Sequence, residues 1–121
     1  MNFIEYASSL LKFFQQFGEC YQSGYIPINA KTPYIVYDIP YNSDMDSVIL
    51  TIKVWDNSTK LDRLATITKQ IEETIGRGIT INTENGGLII YTGNPFAQLY
   101  QPSEESPNYH AMVIQLEVKS I

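Results

Sequence analysis

The sequence predicts an α+β fold: a mainly antiparallel sheet of about four strands with two helices packed on one face, in the order α-β-β-α-β-β. Two segments place apolar residues at spacings of three and four, which is the period of an amphipathic helix. Four other segments are rich in β-branched and aromatic residues, and the clearest of them alternate between apolar and polar positions. The 121 residues fit one domain over residues 1–121.

The first half of the chain predicts one helix and one hairpin. Apolar residues recur on one helical stripe over residues 2–17, and a glycine follows. Residues 18–33 form a connector rich in glycine and proline, with residues 25–28 as a candidate short edge strand. Strands follow over residues 34–39 and 47–56. Because the loop between them is too short for a crossover helix, we expect these strands to pair antiparallel.

The second half predicts a helix over residues 59–75 and strands over residues 87–92 and 109–120. Residues 79–81 fit a further short strand. The Gly-Asn-Pro run at residues 93–95 is typical of a strand end, so the residues after it are expected to be extended or irregular. The side chains expected in the core include Val48, Leu50, Ile52, Val54, Leu64, Ile71, Met112, Ile114 and Leu116.

Charge and hydropathy exclude several classes of function. The chain has 13 acidic and 8 basic residues and a net charge of −5, and its basic residues are not clustered, so tight binding to nucleic acid phosphates is not expected. No apolar run is long enough to cross a bilayer, so we expect no contact with a membrane. The N-terminal segment carries Glu5 and no basic leader, which predicts no secretory signal. A single cysteine, Cys20, predicts no internal disulfide and a reducing compartment.

No residue pattern points to catalysis or to a metal. His110 is the only histidine and falls on the inward side of the last strand, where a structural, partly buried side chain is expected. Cys20 lies beside Glu19, without the positive neighbours that activate a thiol. The run Asp44-Met45-Asp46 superficially resembles a calcium loop but lacks its glycine and bidentate glutamate. We therefore expect no enzymatic activity, no cofactor and no metal site.

The face of the sheet away from the helices is predicted to be unusually apolar. Alternation in the second strand puts Ile49 and Trp55 on that face, where a sheet covered on one side is normally polar. Several of the nine tyrosines also lie on predicted strands or at their ends. Tyrosine is enriched both in strands and in the cores of protein interfaces. The pattern favours a second subunit on this face or at an edge, and ordinary β propensity is the alternative explanation for the tyrosines.

An ordered pattern extends over nearly the whole chain. It consists of the N-terminal helix, the run Lys31-Thr32-Pro33-Tyr34-Ile35-Val36-Tyr37, the strand Val48-Ile49-Leu50-Thr51-Ile52-Lys53-Val54-Trp55 after a polar hairpin tip, a helix with Leu61, Leu64, Ile67 and Ile71, and the final strand. In this order the chain resembles the phage tail terminator family, whose members form a ring that closes the tail tube and joins it to the head. The resemblance implies an α+β subunit, a hexameric ring and no enzymatic activity. It also implies contacts with the major tail tube protein and with a head completion or connector protein.

The hairpin tip, residues 40–47, resembles a family loop used for ring contacts or for the lumen. The candidate residues for the subunit interface or the lumen are Tyr41, Asp44, Asp46, Ile49, Trp55, Phe96 and Tyr100. DNA is expected to pass through the lumen without specific binding, because the acidic tip and the acidic loop at Glu104 and Glu105 repel phosphates. We expect the protein in the virion, at the head–tail interface, after assembly in the host cytoplasm. The alternatives are another phage neck or head-completion protein and an unrelated small-molecule-binding α+β domain.

Overall fold

The computed structural model describes residues 3–40, 47–101 and 108–121. Its elements in chain order are α1 (Phe3–Gln15), β1 (Glu19–Gln22), β2 (Tyr34–Tyr37), β3 (Ser47–Asn57), α2 (Asp62–Ile75), β4 (Ile79–Thr83), β5 (Gly86–Tyr100) and β6 (Tyr109–Ser120). The α+β class with two helices is confirmed. The order corrects the prediction to α-β-β-β-α-β-β-β, because the sequence does not predict β1, and β4 is a strand in its own right.

The strands form one six-stranded sheet in the order β1-β2-β3-β6-β5-β4. β2 and β3 pair antiparallel, with Tyr34 opposite Trp55, which confirms the predicted hairpin. The three other pairs between β3 and β4 are antiparallel as well, whereas β1 lies parallel to β2. A parallel pair needs a long connection, and residues 23–33 supply it. The sheet is therefore mixed, with one parallel pair at its edge.

One face of the sheet carries the hydrophobic core, and both helices cover it. In β3, Leu50 and Ile52 are fully buried opposite Leu116 and Ile114 of β6. The buried helical residues in this core are Tyr6, Leu10, Phe13, Phe14, Leu64, Ile71 and Ile75. The two helices therefore lie on the same face, as predicted, and Met112 packs against the core partly rather than fully buried. Within the described residues, neither helix is long and apolar enough to span a membrane.

The connector between β1 and β2 differs from the prediction. The edge strand uses Glu19–Gln22, with Cys20 opposite Ile35, and residues 25–28 are not a strand. The apolar side chains in residues 25–28 are instead left in solvent: Tyr25 is 75% exposed and Ile28 is fully exposed. The structure thus offers an exposed apolar segment next to a sheet edge.

β5 continues through the predicted break at residues 93–95. Its pairing with β6 changes register between Thr92 and Ala97, which marks a β-bulge. Gly93 permits this close approach, because a Cβ at that position would lie 2.8 Å from the Cβ of Gln115. The extra residues reverse the face that each later side chain occupies. Tyr100 therefore lies opposite Ala111, on the face away from the core.

The hydroxyl of Tyr6 lies in the core with no hydrogen-bond partner among the described residues. The side chain is 1% exposed. We expect Tyr6→Phe to raise the free energy of unfolding by about 1 kcal/mol, because it removes a desolvated hydroxyl and keeps the ring. Urea unfolding measures the change, and Tyr25→Phe, at an exposed ring, is the matched control with no expected change. A destabilised Tyr6→Phe variant would contradict this reading of the hydroxyl.

The same residue makes stability depend on alkaline pH. Burial raises the pKa of Tyr6 to about 12 in the folded protein, whereas the pKa of a tyrosine in an unfolded chain is roughly 10. Between these two values the folded state binds more protons than the unfolded state, so stability falls as the pH rises. Between about pH 9 and about pH 11, the free energy of unfolding should therefore fall less in Tyr6→Phe than in the wild type. Equal losses would mean that Tyr6 does not contribute.

Candidate interaction surface

The sheet face opposite the helices is the candidate functional site, and we call it the outer face. In β3 it carries Ile49, Thr51, Lys53 and Trp55, which alternate with the buried residues of the core face. No described helix covers this side, because both helices pack on the core face. An antiparallel sheet with one free face normally exposes polar side chains there. This face is instead largely aromatic at one end.

Five aromatic side chains on the outer face, one from each of five strands, form a chain of contacts. We call them the outer aromatic cluster; they are Tyr21, Tyr34, Trp55, Tyr100 and Tyr109. Trp55 stacks on Tyr109 with ring centroids 4.8 Å apart, and Tyr100 meets Trp55 edge-on at 6.3 Å. Tyr21 meets Tyr34 edge-on at 5.7 Å, and the Tyr34 and Tyr109 hydroxyls share a hydrogen bond. Each such ring pair contributes roughly 0.5–1.5 kcal/mol beyond its buried area, so the cluster has a defined shape.

The strand register explains how the cluster forms. Ala111 of β6 lies directly between Trp55 of β3 and Tyr100 of β5. Its methyl group is small and fully buried, which leaves room for the two larger rings to meet above it. On the other side, Tyr34 pairs directly with Trp55. Directly opposed residues on one sheet face are close enough to pack. Trp55 is thus paired directly with Tyr34 and Ala111, and the pairing of Ala111 with Tyr100 brings the Tyr100 ring within reach of it.

Lysine side chains border the aromatic rings. The Nζ atom of Lys53 lies 5.6 Å from the centre of the Tyr100 ring, and Lys119 Nζ lies 5.7 Å from the Tyr91 ring. Lys119 also forms an ion pair with Glu117 at 3.6 Å. Burial, followed by the hydrogen bond with Tyr109, raises the pKa of Tyr34. The surface is therefore aromatic at its centre and carries charged side chains of both signs at its border.

Three of the residues nominated from the sequence lie on this face. Trp55 and Tyr100 belong to the outer aromatic cluster, and Ile49 lies farther along β3 with 74% of its surface exposed. Phe96 lies within the bulge region and packs partly buried against the core. The remaining nominated residues, Tyr41, Asp44 and Asp46, lie outside the described residues, as does the acidic loop with Glu104 and Glu105.

Three members of the cluster are missing from the nominated set. Tyr21 lies on β1, a strand that the sequence does not predict. Tyr34 and Tyr109 lie on predicted strands, but their meeting depends on the order β2-β3-β6. A usable signal was the hairpin itself, since antiparallel pairing of β2 and β3 puts Tyr34 on the same face as Trp55.

A buried polar cluster holds the start of α2 against the end of β3. The Asp56 carboxylate is fully buried and accepts hydrogen bonds from Arg63 Nε at 3.0 Å and Arg63 Nη2 at 2.5 Å. It also accepts the backbone N–H of Asn57 at 2.8 Å. His110 lies opposite Asp56, and its Nε2 is 3.0 Å from the carbonyl oxygen of Ser58. These contacts fix the chain where strand turns into helix, and the histidine takes part in that local packing.

Comparison with family models, with curated proteins and with solved structures finds no match for this chain. The described residues also contain no group of three or more histidine, cysteine, aspartate or glutamate side chains placed to hold a metal ion. We therefore infer function from the geometry of the outer face and from the sequence pattern.

The thiol of Cys20 is half-buried and points toward the core. Its Sγ donates to the Gly18 carbonyl oxygen at 3.4 Å, and burial, followed by the charge of Glu19, raises its pKa to about 11. We expect iodoacetamide at about pH 8 to alkylate the folded protein more than tenfold more slowly than a free thiol, because only the thiolate reacts. Mass spectrometry follows the reaction, and urea-unfolded protein is the control that should react quickly. Equal rates in the folded and unfolded protein would contradict the predicted protection.

Proposed function

We propose that this chain is a structural subunit of a phage virion that forms a ring, hexameric in the tail, at the top of the tail tube. The ring stops polymerisation of the tube and joins the tail to the head connector. Its partners are further copies of itself, the major tail tube protein and a head completion or connector protein. DNA passes through the lumen without specific binding, and the subunit has no enzymatic activity and needs no cofactor.

The observation that carries this proposal is the outer face of the sheet. The outer face of β3 carries the large apolar side chains Ile49 and Trp55, yet the helices of the described chain cover only the core face. The outer aromatic cluster buries part of its own surface, but Tyr100 remains exposed and Ile49 is largely in solvent. Exposed apolar side chains on a sheet face that no described helix covers favour contact with another protein. Assembly into a ring gives such a face a partner.

The negative net charge agrees with a ring that DNA must slide through. A lumen that gripped phosphates would slow DNA passage, whereas a net charge of −5 disfavours such binding. The basic side chains described on the outer face, Lys53 and Lys119, lie over tyrosine rings, and Lys119 is also paired with Glu117. They are therefore placed to border a protein interface.

The direct test is a tube-capping assay. The major tail tube protein of the same phage is polymerised with and without this chain, and tube lengths are measured by negative-stain electron microscopy. We expect added protein to limit tube growth and to appear as a ring at one tube end. If tubes grow equally long while the chain is still required to join heads to tails, it is a different neck component. Tubes of unchanged length, with no bound chain and normal head–tail joining in its absence, would reject the virion function.

A further inference from the structure

A cavity of about 530 Å³ lies at the end of the sheet where β2 and β6 begin and β3 ends. The connector between β1 and β2 lines it with Pro27, Ile28, Lys31 and Thr32. The ends of the three strands line it with Tyr34, Asn57 and Tyr109. Binding sites for small organic molecules have volumes of roughly 300–1,000 Å³. The cavity is therefore large enough for such a ligand.

A hydrogen-bonded turn shapes the connector side of the cavity. The N–H of Ala30 donates to the carbonyl oxygen of Pro27 at 3.0 Å, and both residues line the cavity. This bond closes a four-residue turn, in which the proline ring restricts the backbone further. Ile28 lies within the turn and is fully exposed, so its side chain is free to contact a ligand. The connector thus provides a preformed apolar wall.

The strand side of the cavity carries two tyrosine hydroxyls that are hydrogen-bonded to each other. They belong to Tyr34 of β2 and Tyr109 of β6, which meet across the end of β3. A tyrosine hydroxyl has one proton to donate. One hydroxyl gives its proton to the other, and the second proton has no acceptor among the residues that the structure describes. Since the Tyr34 side chain is only 6% exposed, this pair is an anchored O–H donor beside the cavity.

The remaining polar groups make the cavity positive. Among the described residues that line it, Lys31 alone is charged, and no described carboxylate forms a salt bridge with it. Thr32 and Asn57 add a hydroxyl and a side-chain amide, each of which can donate a hydrogen bond. A carboxylate has one negative charge and two oxygens that accept such bonds. Its charge matches a single lysine, whereas a phosphate monoester carries nearly twice as much.

We propose that this cavity binds a small organic carboxylate with an apolar body. The carboxylate lies beside the Lys31 ammonium group and accepts hydrogen bonds from the free tyrosine O–H and from the side chain of Asn57. The apolar body packs against Pro27 and Ile28. All of these groups belong to one chain, so the inference goes beyond the proposed ring and does not depend on it.

The outer aromatic cluster supplies a reporter for this site. Trp55 is the only tryptophan in the chain, and its ring stacks on Tyr109 with the centroids 4.8 Å apart. Tyr109 also lines the cavity. A ligand that contacts the tyrosine pair therefore changes the surroundings of Trp55, and the fluorescence of the tryptophan reports binding.

Titration of the isolated chain with isovalerate tests the proposal. We expect a saturable change in Trp55 emission with a Kd of about 1 mM, which suits a ligand of this size. In two-dimensional NMR, the shifts should centre on the backbone amides of Ile28 and Lys31 and on the side-chain amide of Asn57. The neutral analogue isovaleramide keeps the body and lacks the charge, so it should bind at least about tenfold more weakly. A change that does not saturate, equal binding of the amide, or shifts centred elsewhere would overturn the proposal.

Acetate distinguishes a shaped site from a general attraction of carboxylates to lysine. It carries the same charge but lacks the apolar body, so it should bind at least about tenfold more weakly than isovalerate. Equal binding of acetate and isovalerate would show that the apolar wall is not part of a site, and would contradict the proposal.

Two exposed side chains allow the charged and apolar parts of the site to be tested separately. Lys31→Gln should weaken isovalerate binding about fivefold or more, and Ile28→Ser should remove the preference for isovalerate over acetate. Lys69→Gln, at an exposed lysine on α2 outside the cavity, is the matched control and should bind isovalerate like the wild type. Urea unfolding verifies that all three variants are folded. Binding by Lys31→Gln that equals binding by Lys69→Gln would exclude the proposed carboxylate site, whatever the outcome of the tube-capping assay.

Discussion

Arg63→Ala is expected to lower the free energy of unfolding by about 3–5 kcal/mol, because it leaves a buried carboxylate without its counter-charge. The Asp56 side chain is 0% exposed and gives both oxygens to Arg63, whereas the Arg63 side chain is about half exposed. Removing each partner in turn should therefore lower the free energy of unfolding by different amounts. In Asp56→Ala the arginine turns into water, so this variant should lose less stability than Arg63→Ala.

Urea unfolding of three variants measures the asymmetry. Arg63→Ala/Asp56→Ala should be more stable than Arg63→Ala alone, since the double variant contains no stranded charge. Arg77→Ala, at an exposed arginine after α2, is the matched control and should change stability by less than about 0.5 kcal/mol. An Arg63→Ala variant as stable as Arg77→Ala would show that the pair does not anchor α2 to β3.

The second large effect is expected on assembly and not on stability. Ile49→Asp places a charge on the outer face, where the native side chain is exposed in the isolated chain. The free energy of unfolding should stay within about 0.5 kcal/mol of the wild type. Binding through this face should fall roughly thirtyfold or more, the effect of losing one interface contact worth about 2 kcal/mol and burying a charge. Tube capping and head–tail joining should fall accordingly.

Leu61→Asp is the matched control, because Leu61 is an exposed apolar residue at the start of α2, away from the outer face. It should cap tubes like the wild type. Stability from urea unfolding and capping from tube lengths are measured on the same preparations. A stable Ile49→Asp variant that caps tubes normally would show that the outer face is not a binding surface. A poorly folded variant would show that Ile49 is needed for the structure of the monomer, which would also contradict the proposed role.

Long alternating strands were predictable and short non-local ones were not. β3 and β6 alternate over 11 and 12 residues, and their period of two fixes which side chains enter the core. β1 has four residues with no alternation, and it becomes a strand only by pairing parallel with β2 across residues 23–33. Such pairing depends on tertiary structure rather than on local propensity.

The outer face was predictable in part for the same reason. Alternation within β3 placed Ile49 and Trp55 on the face away from the core. The position of Tyr100 depends on the bulge between Thr92 and Ala97, which a Gly-Asn-Pro run suggests only as a strand end. Without the register shift, Tyr100 would lie on the same face as Leu88 and Ile90, which is the core face. Tyr100 thus joins the aromatic cluster because Gly93 lets β5 bulge instead of ending.

The place of the protein in the particle tests the central proposal most directly. An antibody against this chain, detected with gold on intact virions and on isolated tails by electron microscopy, reports where it lies. We expect label at the junction between head and tail, at the upper end of isolated tails, and none along the tube. Label along the whole tube or at the distal tip, or virions that contain none of this chain, would contradict the assignment.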